Sequence, residues 1–432
     1  MKASTTTQRL RVLTYPGVTP RIVRPNGRED LIEYTADGGY HTALDAGPLL
    51  AEVESSGLRG RGGAGFPLGA KLRSVRRNLR HGNAVVVANG EEGEPMSIKD
   101  RWLLRTRPHL VIDGLRLAAR AVSATRGMVY LSDEEAARSI EDALNELDGR
   151  HLDGLETFIV RVEPGYVAGE ETAAVRAING GPAKPMDKPP RPFERGVDSL
   201  PTLVSNVETL ANLPFINRHG AAAYRSVGTA ASAGTFLATI SGSALPPALY
   251  EVAHGVRLSE LLAFHGADIS KTRGVLMGGY SAGFLGEAAL RTPLDHESMS
   301  RRKSGLGCGA IGVITEECPL AVAASVLDYF DHQNAGQCGS CFNGTAAMAA
   351  ASIALRVGCA TAEDVGRLRR WSTVLRGRGA CGTLNAACNI AATVLDVFPT
   401  VIDTHLMNEC RTCRRMVYSS QRPFEVELAV TR

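Results

Sequence analysis

Ala84-Val-Val-Val-Ala-Asn-Gly-Glu-Glu-Gly-Glu-Pro95 decides the fold. Its apolar half, Ala84–Ala88, reads as a strand, and its glycine and glutamate half reads as a polar loop at the carboxyl end of that strand. Downstream, apolar residues at Leu110, Leu115, Ala118 and Val122 keep helical spacing. A second strand, Met128–Leu131, runs into Ser132-Asp-Glu-Glu135, which has capping-box spacing for a helix start. A third strand, Phe158–Val162, passes through Glu163-Pro-Gly165 to a helix beginning at Glu170. Upstream, a short helix, Leu49–Ser56, enters a glycine-dense loop, Gly57–Gly69. Strands alternating with helices predict a doubly wound α/β domain over residues 34–225, preceded by an N-terminal extension, 1–33.

The pattern changes near residue 226. Phe236–Ile240, Leu249–Val252 and Val275–Met277 read as short strands with one helix, Leu258–His265, so residues 226–295 form a small α+β module. Residues 296–400 turn helical and hold most of the cysteines, and 401–432 form a tail carrying Cys410-Arg-Thr-Cys413.

Composition narrows the function. The 432 residues carry 48 basic and 45 acidic side chains, a net charge of +3, so no large field of one sign awaits nucleic acid. Only seven of the basic residues are Lys, and so general an Arg excess does not mark a phosphate-binding surface. The first residues lack the apolar core of a signal peptide, and the longest apolar run, Ala346–Leu355, falls far short of a membrane span. A cytoplasmic protein is expected, with its nine cysteines reduced. The odd count and two CxxC pairs favour metal or cluster ligation over disulfides.

Three loops carry the chemistry. Gly57–Gly69 holds six glycines in thirteen residues, with Arg59, Arg61 and Lys71 close by, a composition suited to wrapping an anion. It lacks the Gly-Lys-Ser/Thr of a P-loop, and the helix before it separates it from the usual dinucleotide fingerprint. Asn89–Pro95 and Gly165-Tyr-Val-Ala-Gly-Glu-Glu-Thr172 lie at carboxyl ends of strands, where open α/β sheets bind ligands. Each alone reads as a solvated turn; together with the glycine loop they suggest a nucleotide or flavin crevice.

These residues carry a resemblance. SGLRGRGGAGFP at Ser56–Pro67 resembles the flavin-phosphate loop in the family of NADH-oxidising flavoprotein subunits (51 kDa, or F) of complex I. NGEEGEPMSIKDR, PGYVAGEETA, KPPRPFERGVDSLPTLVSNVETLANLPFI, SGLGCGAIGVI and AGQCGSC resemble later motifs of the same family, in unbroken order over residues 34–400. The resemblance implies a Rossmann-like FMN-binding domain, a β-grasp (SLBB-type) module and a C-terminal helical-bundle iron–sulfur domain. It implies an oxidoreductase that takes a hydride from NADH or NADPH onto FMN and passes single electrons through an iron–sulfur cluster, of 4Fe–4S type where four ligands are present. The acceptor would be a ferredoxin-like or other iron–sulfur carrier protein or subunit. With no membrane span of its own, the chain would be at most peripheral to a membrane complex.

Carried over motif by motif, the cofactor-binding residues are Gly60, Arg61, Gly62, Gly63, Phe66, Lys71, Asn89, Glu91, Tyr166, Gly169, Glu170, Glu171, Ser205, Asn206 and Thr209. Glu94 and Glu171 are the implied catalytic residues, Glu94 and Phe66 helping to place the nicotinamide nucleotide. The implied metal ligands are Cys338, Cys341 and Cys381.

The sequence also departs from the family. Ala335 stands where the first cluster Cys belongs, which leaves three thiolates. His332, Cys388, the tail pair Cys410/Cys413, water or a partner are the candidates for a fourth ligand. The tail pair is no part of the family pattern; it reads as a partner for Cys338/Cys341 in a zinc or iron–sulfur site, as a redox dithiol, or as an unliganded pair. Cys308, Cys318 and Cys359 read as small hydrophobes. In the nucleotide pocket Arg191 replaces a stacking aromatic, which points to weaker NADH binding or to NADPH. A stand-alone paralogue is expected ahead of a core respiratory component. Two other functions fit the same residues: a flavin and iron–sulfur carrier that does not use nicotinamide, and a non-enzymatic binding module.

Overall fold

The computed structural model describes residues 10–24, 27–79, 83–148, 151–242, 245–414 and 421–428. The first nine residues, on which the signal-segment reading falls, and parts of the tail lie outside them.

Val85–Asn89 is the hub of a four-stranded sheet in the order Glu156–Arg161, Arg126–Leu131, Val85–Asn89, Thr202–Asn206, with every pairing parallel. Its side chains alternate between two cores. Val86 and Ala88 pack with Leu115 and Val122 of helix Pro108–Val122, while Val85 and Val87 pack with Ala174 and Val175 of helix Glu171–Ile178. Helices on both faces explain why the strand has no polar interruption. The two strands after Val85–Asn89 are laid to one side of it, and Thr202–Asn206 returns on the other. The strand order therefore reverses between Asn89 and Asn206, which are register partners. A crevice opens at the carboxyl ends of the strands at such a point. Thr202–Asn206 is absent from the strands expected above, although it completes that crevice.

The helix after Arg126–Leu131 starts one residue later than its motif suggests. Asp133 is the N-cap and accepts from the Ala136 amide at 2.8 Å, which leaves the Ser132 hydroxyl to hydrogen-bond Glu91.

The second sheet has six strands. Thr235–Gly242 and Ala310–Ile314 pair in parallel at its centre. Leu245–Ala253 flanks the first, and Gly274–Met277 followed by Phe284–Gly286 flanks the second, all antiparallel. Leu258, Leu261 and Leu262 of helix Leu258–His265 pack on its apolar face, the arrangement of a β-grasp module. The sheet reaches beyond residues 226–295 in both directions: its central strand Ala310–Ile314 follows that range, and Arg11–Thr14 adds an edge strand parallel to Leu245–Ala253. The Arg11–Thr14 pairing places this part of the N-terminal extension within the fold.

Pro319–Gln333, Gly339–Arg356, Ala362–Val374 and Thr383–Val397 form a helical bundle around Phe330, Met348, Leu368 and Ile390. Among the described residues no single helix is long and apolar enough to cross a membrane. Beyond the bundle, the tail folds back over the rest of the chain. The Val426 amide donates to Pro95 O at 3.0 Å, and the Tyr280 hydroxyl donates to Pro423 O at 2.8 Å.

Candidate flavin and thiol site

The glycine loop is a closed structure. Helix Ala46–Ser56 ends at Gly57 in the left-handed conformation, and the loop then folds on itself through Gly60 N–H to Phe66 O at 2.8 Å and Leu68 N–H to Leu58 O at 2.9 Å. Gly63 sits at φ +122°, where a side chain would be strained. The Arg61 amide donates to Thr209 Oγ1 at 2.8 Å and ties the loop to the segment after Thr202–Asn206. The loop ends in helix Leu68–Arg77, which carries Lys71 on its first turn.

Two adjoining cavities open beside this loop. One, of about 510 Å³, is lined by Gly60, Gly62, Phe66, Lys71, Glu171, Ser205 and Thr209 among others. The other, of about 390 Å³, is lined by Gly63, Glu91, Glu94, Tyr166 and Cys381 among others. Both share Gly62, Asn89, Gly169, Glu170, Asn206 and Gly382, so they form one crevice centred on the switch point.

Arg61 is the exception among the expected binding residues. Its guanidinium turns inward, donating to Thr235 O at 2.8 Å and to the Tyr224 hydroxyl at 3.3 Å, so its charge anchors the loop to the β-grasp sheet. With its guanidinium directed at Thr235, Tyr224 and, at 3.8 Å, the Glu208 carboxylate, Arg61 offers the crevice its backbone rather than its charge.

The polar groups of the crevice are held in place by their own partners. Asn89 Nδ2 donates to Gly169 O at 2.8 Å while its Oδ1 accepts from the Glu91 amide at 3.2 Å. Asn206 Nδ2 donates to Asp100 at 2.6 Å, and Lys99, fully buried, bridges Asp100 at 2.6 Å, Glu208 at 3.0 Å and Asn206 Oδ1 at 3.2 Å. At the wider cavity Lys71 pairs with Glu171 at 3.0 Å and Lys188 with Glu170 at 2.6 Å, while Arg191 stands 3.9 Å from Glu171 and is 54% exposed. Glu170 also caps the helix that follows, accepting from the Thr172 amide at 2.7 Å.

Two carboxyls are shifted towards neutrality. Burial pushes Glu91 up to about 7, and its Oε2 is buried without a hydrogen-bond partner. Burial likewise pushes Glu94 up to about 8, against the opposing pull of amide bonds from Tyr280 and Met96. The Tyr280 amide reaches Glu94 Oε2 at 3.0 Å, so a residue of the β-grasp module fixes this carboxyl.

The crevice wall reaches the cysteines. Cys338 caps helix Gly339–Arg356, Cys341 lies in its first turn, and Cys381 precedes helix Thr383–Val397 while facing the crevice. The Ala380 amide contacts Cys338 Sγ at 3.5 Å. Cys341 is pushed up to about 12, first by burial and then by the neighbouring Cys381 and Cys338 sulfurs. Of the candidates for a fourth ligand, Cys388 also raises the Cys341 thiol, yet neither it nor His332 bonds to these three sulfurs. His332 bonds to Asp328 O of its own helix and Cys388 Sγ to Trp371 O. The tail pair packs with Cys318 and His405 instead. Cys318, read as a small hydrophobe, is buried in the bundle core and also stands 3.2 Å from His405 Nε2.

Cys308, Gly278 and Ser281 line the crevice too, and sequence reasoning assigned them no part in it. They arrive from the β-grasp module, about 200 residues from the glycine loop in sequence. The SGLGCGAIGVI motif was the available signal.

A switch-point crevice with a glycine-loop wall, joined to a thiol-bearing bundle, defines an oxidoreductase component of flavoprotein type. Residues 53–215 match the Nuo51 FMN-binding domain, and residues 321–405 match the NADH-ubiquinone oxidoreductase-F iron–sulfur binding region. The NADH-quinone oxidoreductase F 2 subunit of Rhizobium meliloti (strain 1021) is 35% identical over 335 residues, covering 73% of this chain and 79% of that protein. The NADP-reducing hydrogenase subunit HndC of Solidesulfovibrio fructosivorans is 32% identical, covering 94% of this chain and 85% of its own. Among solved structures, an H2-reduced NAD+-reducing nickel–iron hydrogenase matches with a TM-score of 0.78 at 30% identity, over 86% of this chain and 67% of that one. The chain belongs to the family of NADH-quinone oxidoreductase F subunits, and is an oxidoreductase flavoprotein with an FMN-binding domain and an iron–sulfur region.

Proposed function

We propose that the crevice takes FMN and a nicotinamide nucleotide side by side, and that electrons leave through the wall at Cys381 towards a separate carrier protein. The observation that supports this reading is the continuity of the space: Asn89 and Asn206 at the switch point and Cys381 of the bundle line one cavity. The orphaned Glu91 Oε2 and the open space at Gly63 suit a polar cofactor there. FMN, when bound, converts between electron pairs and single electrons.

The chain's own groups then have distinct tasks. The glycine-loop amides and Lys71 hold the phosphate, and the two asparagines orient the polar edge of the ring and the ribityl chain. Burial favours the protonated form of Glu94, which would lessen the negative charge beside a nicotinamide nucleotide. Glu171, held by Lys71, orients that lysine. Cys338, Cys341 and Cys381 supply three cluster ligands, and with Ala335 in place of a fourth, one iron of a 4Fe–4S cluster would take a ligand from outside this cysteine set. Arg191, exposed at the mouth, favours a phosphorylated nucleotide as a second reading. The carrier is a ferredoxin-like protein or subunit, and the setting is cytoplasmic, at most peripheral to a membrane complex.

Anaerobic titration of the flavin-loaded protein tests this, with NADH and NADPH added separately. Bleaching of the flavin band by either nucleotide is expected. A flavin that stays oxidised with both, yet bleaches with dithionite, contradicts use of nicotinamide.

A further inference from the structure

Outside the set of residues that line the crevice, four metal-binding side chains converge from three segments. Cys318 caps helix Pro319–Gln333, His405 lies in the last turn of helix Pro399–Leu406, and Cys410 and Cys413 belong to the tail. All four ligand atoms lie within 4.8 Å of one another. Cys318 Sγ stands 3.2 Å from His405 Nε2, Cys413 Sγ 3.7 Å from the same nitrogen, and Cys410 Sγ 4.0 Å from Cys318 Sγ.

We propose that Cys318, His405, Cys410 and Cys413 form a closed tetrahedral zinc site that pins the tail to the helical bundle. Bond lengths of about 2.3 Å to sulfur and 2.0 Å to nitrogen at tetrahedral angles put ligand atoms about 3.5–3.8 Å apart, close to the spacings seen. Three thiolates and one imidazole are a usual structural zinc set, and four protein ligands leave no open position for substrate. A 4Fe–4S cluster binds each thiolate through a different iron and needs a wider set, so these atoms suit a single ion. The sulfur separation of 4.0 Å is about twice a disulfide bond.

The surroundings are those of a buried anchor. Cys318 is 1% exposed and His405 2%. Cys318 lies at a helix N-terminus, where partial positive charge favours its thiolate. Beyond the site, the tail reaches the loop that carries Glu94: Ser241 Oγ donates to Phe424 O at 2.9 Å, and the Val426 amide donates to Pro95 O at 3.0 Å. The ion would therefore fix the base of a segment whose far end touches that loop.

Metal analysis of the full-length protein, purified without chelator and without added zinc, tests the site. About one zinc per chain is expected, falling at least about tenfold in Cys410→Ser/Cys413→Ser with flavin content retained. Cys338→Ala/Cys341→Ala should lose iron and keep its zinc, which separates the two sets. Cobalt grown into the site of the wild-type protein should show the ligand-field bands of a tetrahedral thiolate complex, a readout that needs no variant. Wild-type protein without zinc, a Cys410–Cys413 disulfide in freshly isolated protein, or zinc unchanged in the tail variant would each overturn the proposal.

Discussion

The two ends of the crevice are built on different principles. The sheet end is made of strand termini, loop amides and amide side chains locked by their own bonds, so it depends mostly on topology and backbone. The bundle end is made of thiols, each of which either is or is not there, and Ala335 removes one. A backbone-built site depends little on any one side chain, whereas a four-ligand site is altered by a single substitution.

Steric filling of the sheet end is the strongest way to break this comparison. A Cβ at Gly169 would meet Glu91 O at 2.9 Å, and overpacking of about 1–3 kcal/mol implies about 5- to 150-fold weaker flavin binding in Gly169→Val. Fluorescence titration of the flavin-free protein with FMN measures it, and cluster content should stay unchanged. At the other end, Cys338→Ala should lower bound iron at least about tenfold while leaving FMN affinity within about twofold. Iron and sulfide analysis beside flavin content checks both halves. Ala335→Cys sharpens the contrast: a fourth thiolate should slow cluster loss in air several-fold and leave the flavin spectrum unmoved.

Glu94 gives a pH test. Its folded value near 8 lies above the ordinary carboxylate value, so the folded chain holds a proton that the unfolded chain releases. Stability from this group is full at low pH and declines as pH rises from about 4.5 towards 8. Thermal unfolding of Glu94→Gln should lose less stability over that window than the parent, and the KM for nucleotide should rise above pH 8 in the parent alone. The smallest effect belongs to Arg191→Phe. Restoring a stacking ring contributes on the order of 1 kcal/mol, or about fivefold in NADH affinity, and should shift preference away from NADPH. Initial-rate kinetics with both nucleotides decide it.

Sequence reading was effective where a single segment carried its own signal. Val85–Ala88 is uniformly apolar because helices cover both faces, and Leu258–His265 shows its helix by spacing alone. It failed where the meaning lay in a distant partner. Thr202–Asn206 is short and mixed in polarity, and only pairing with Val85–Asn89 makes it a strand. Ala310–Ile314 looks like part of a glycine-rich loop until it joins Thr235–Gly242. Arg61 carries a loop motif, yet its guanidinium donates to Thr235 O, which lies 174 residues along the chain, and stands 3.8 Å from the buried Glu208 carboxylate. Cys318 has no ligand spacing of its own, since His405 comes 87 residues later. Ser132 and Asp133 both suit a cap by type, and only the fold shows that Asp133 takes it.

Whether the two ends exchange electrons is tested most directly by rapid mixing of the anaerobic, flavin- and cluster-loaded protein with the nucleotide that bleaches it, followed by paramagnetic resonance of samples frozen over time. The signal of a reduced cluster should appear as the flavin band falls, and should be absent from flavin-free protein given the same nucleotide. A flavin fully bleached beside a cluster that stays oxidised over the whole time course would contradict a path through Cys381.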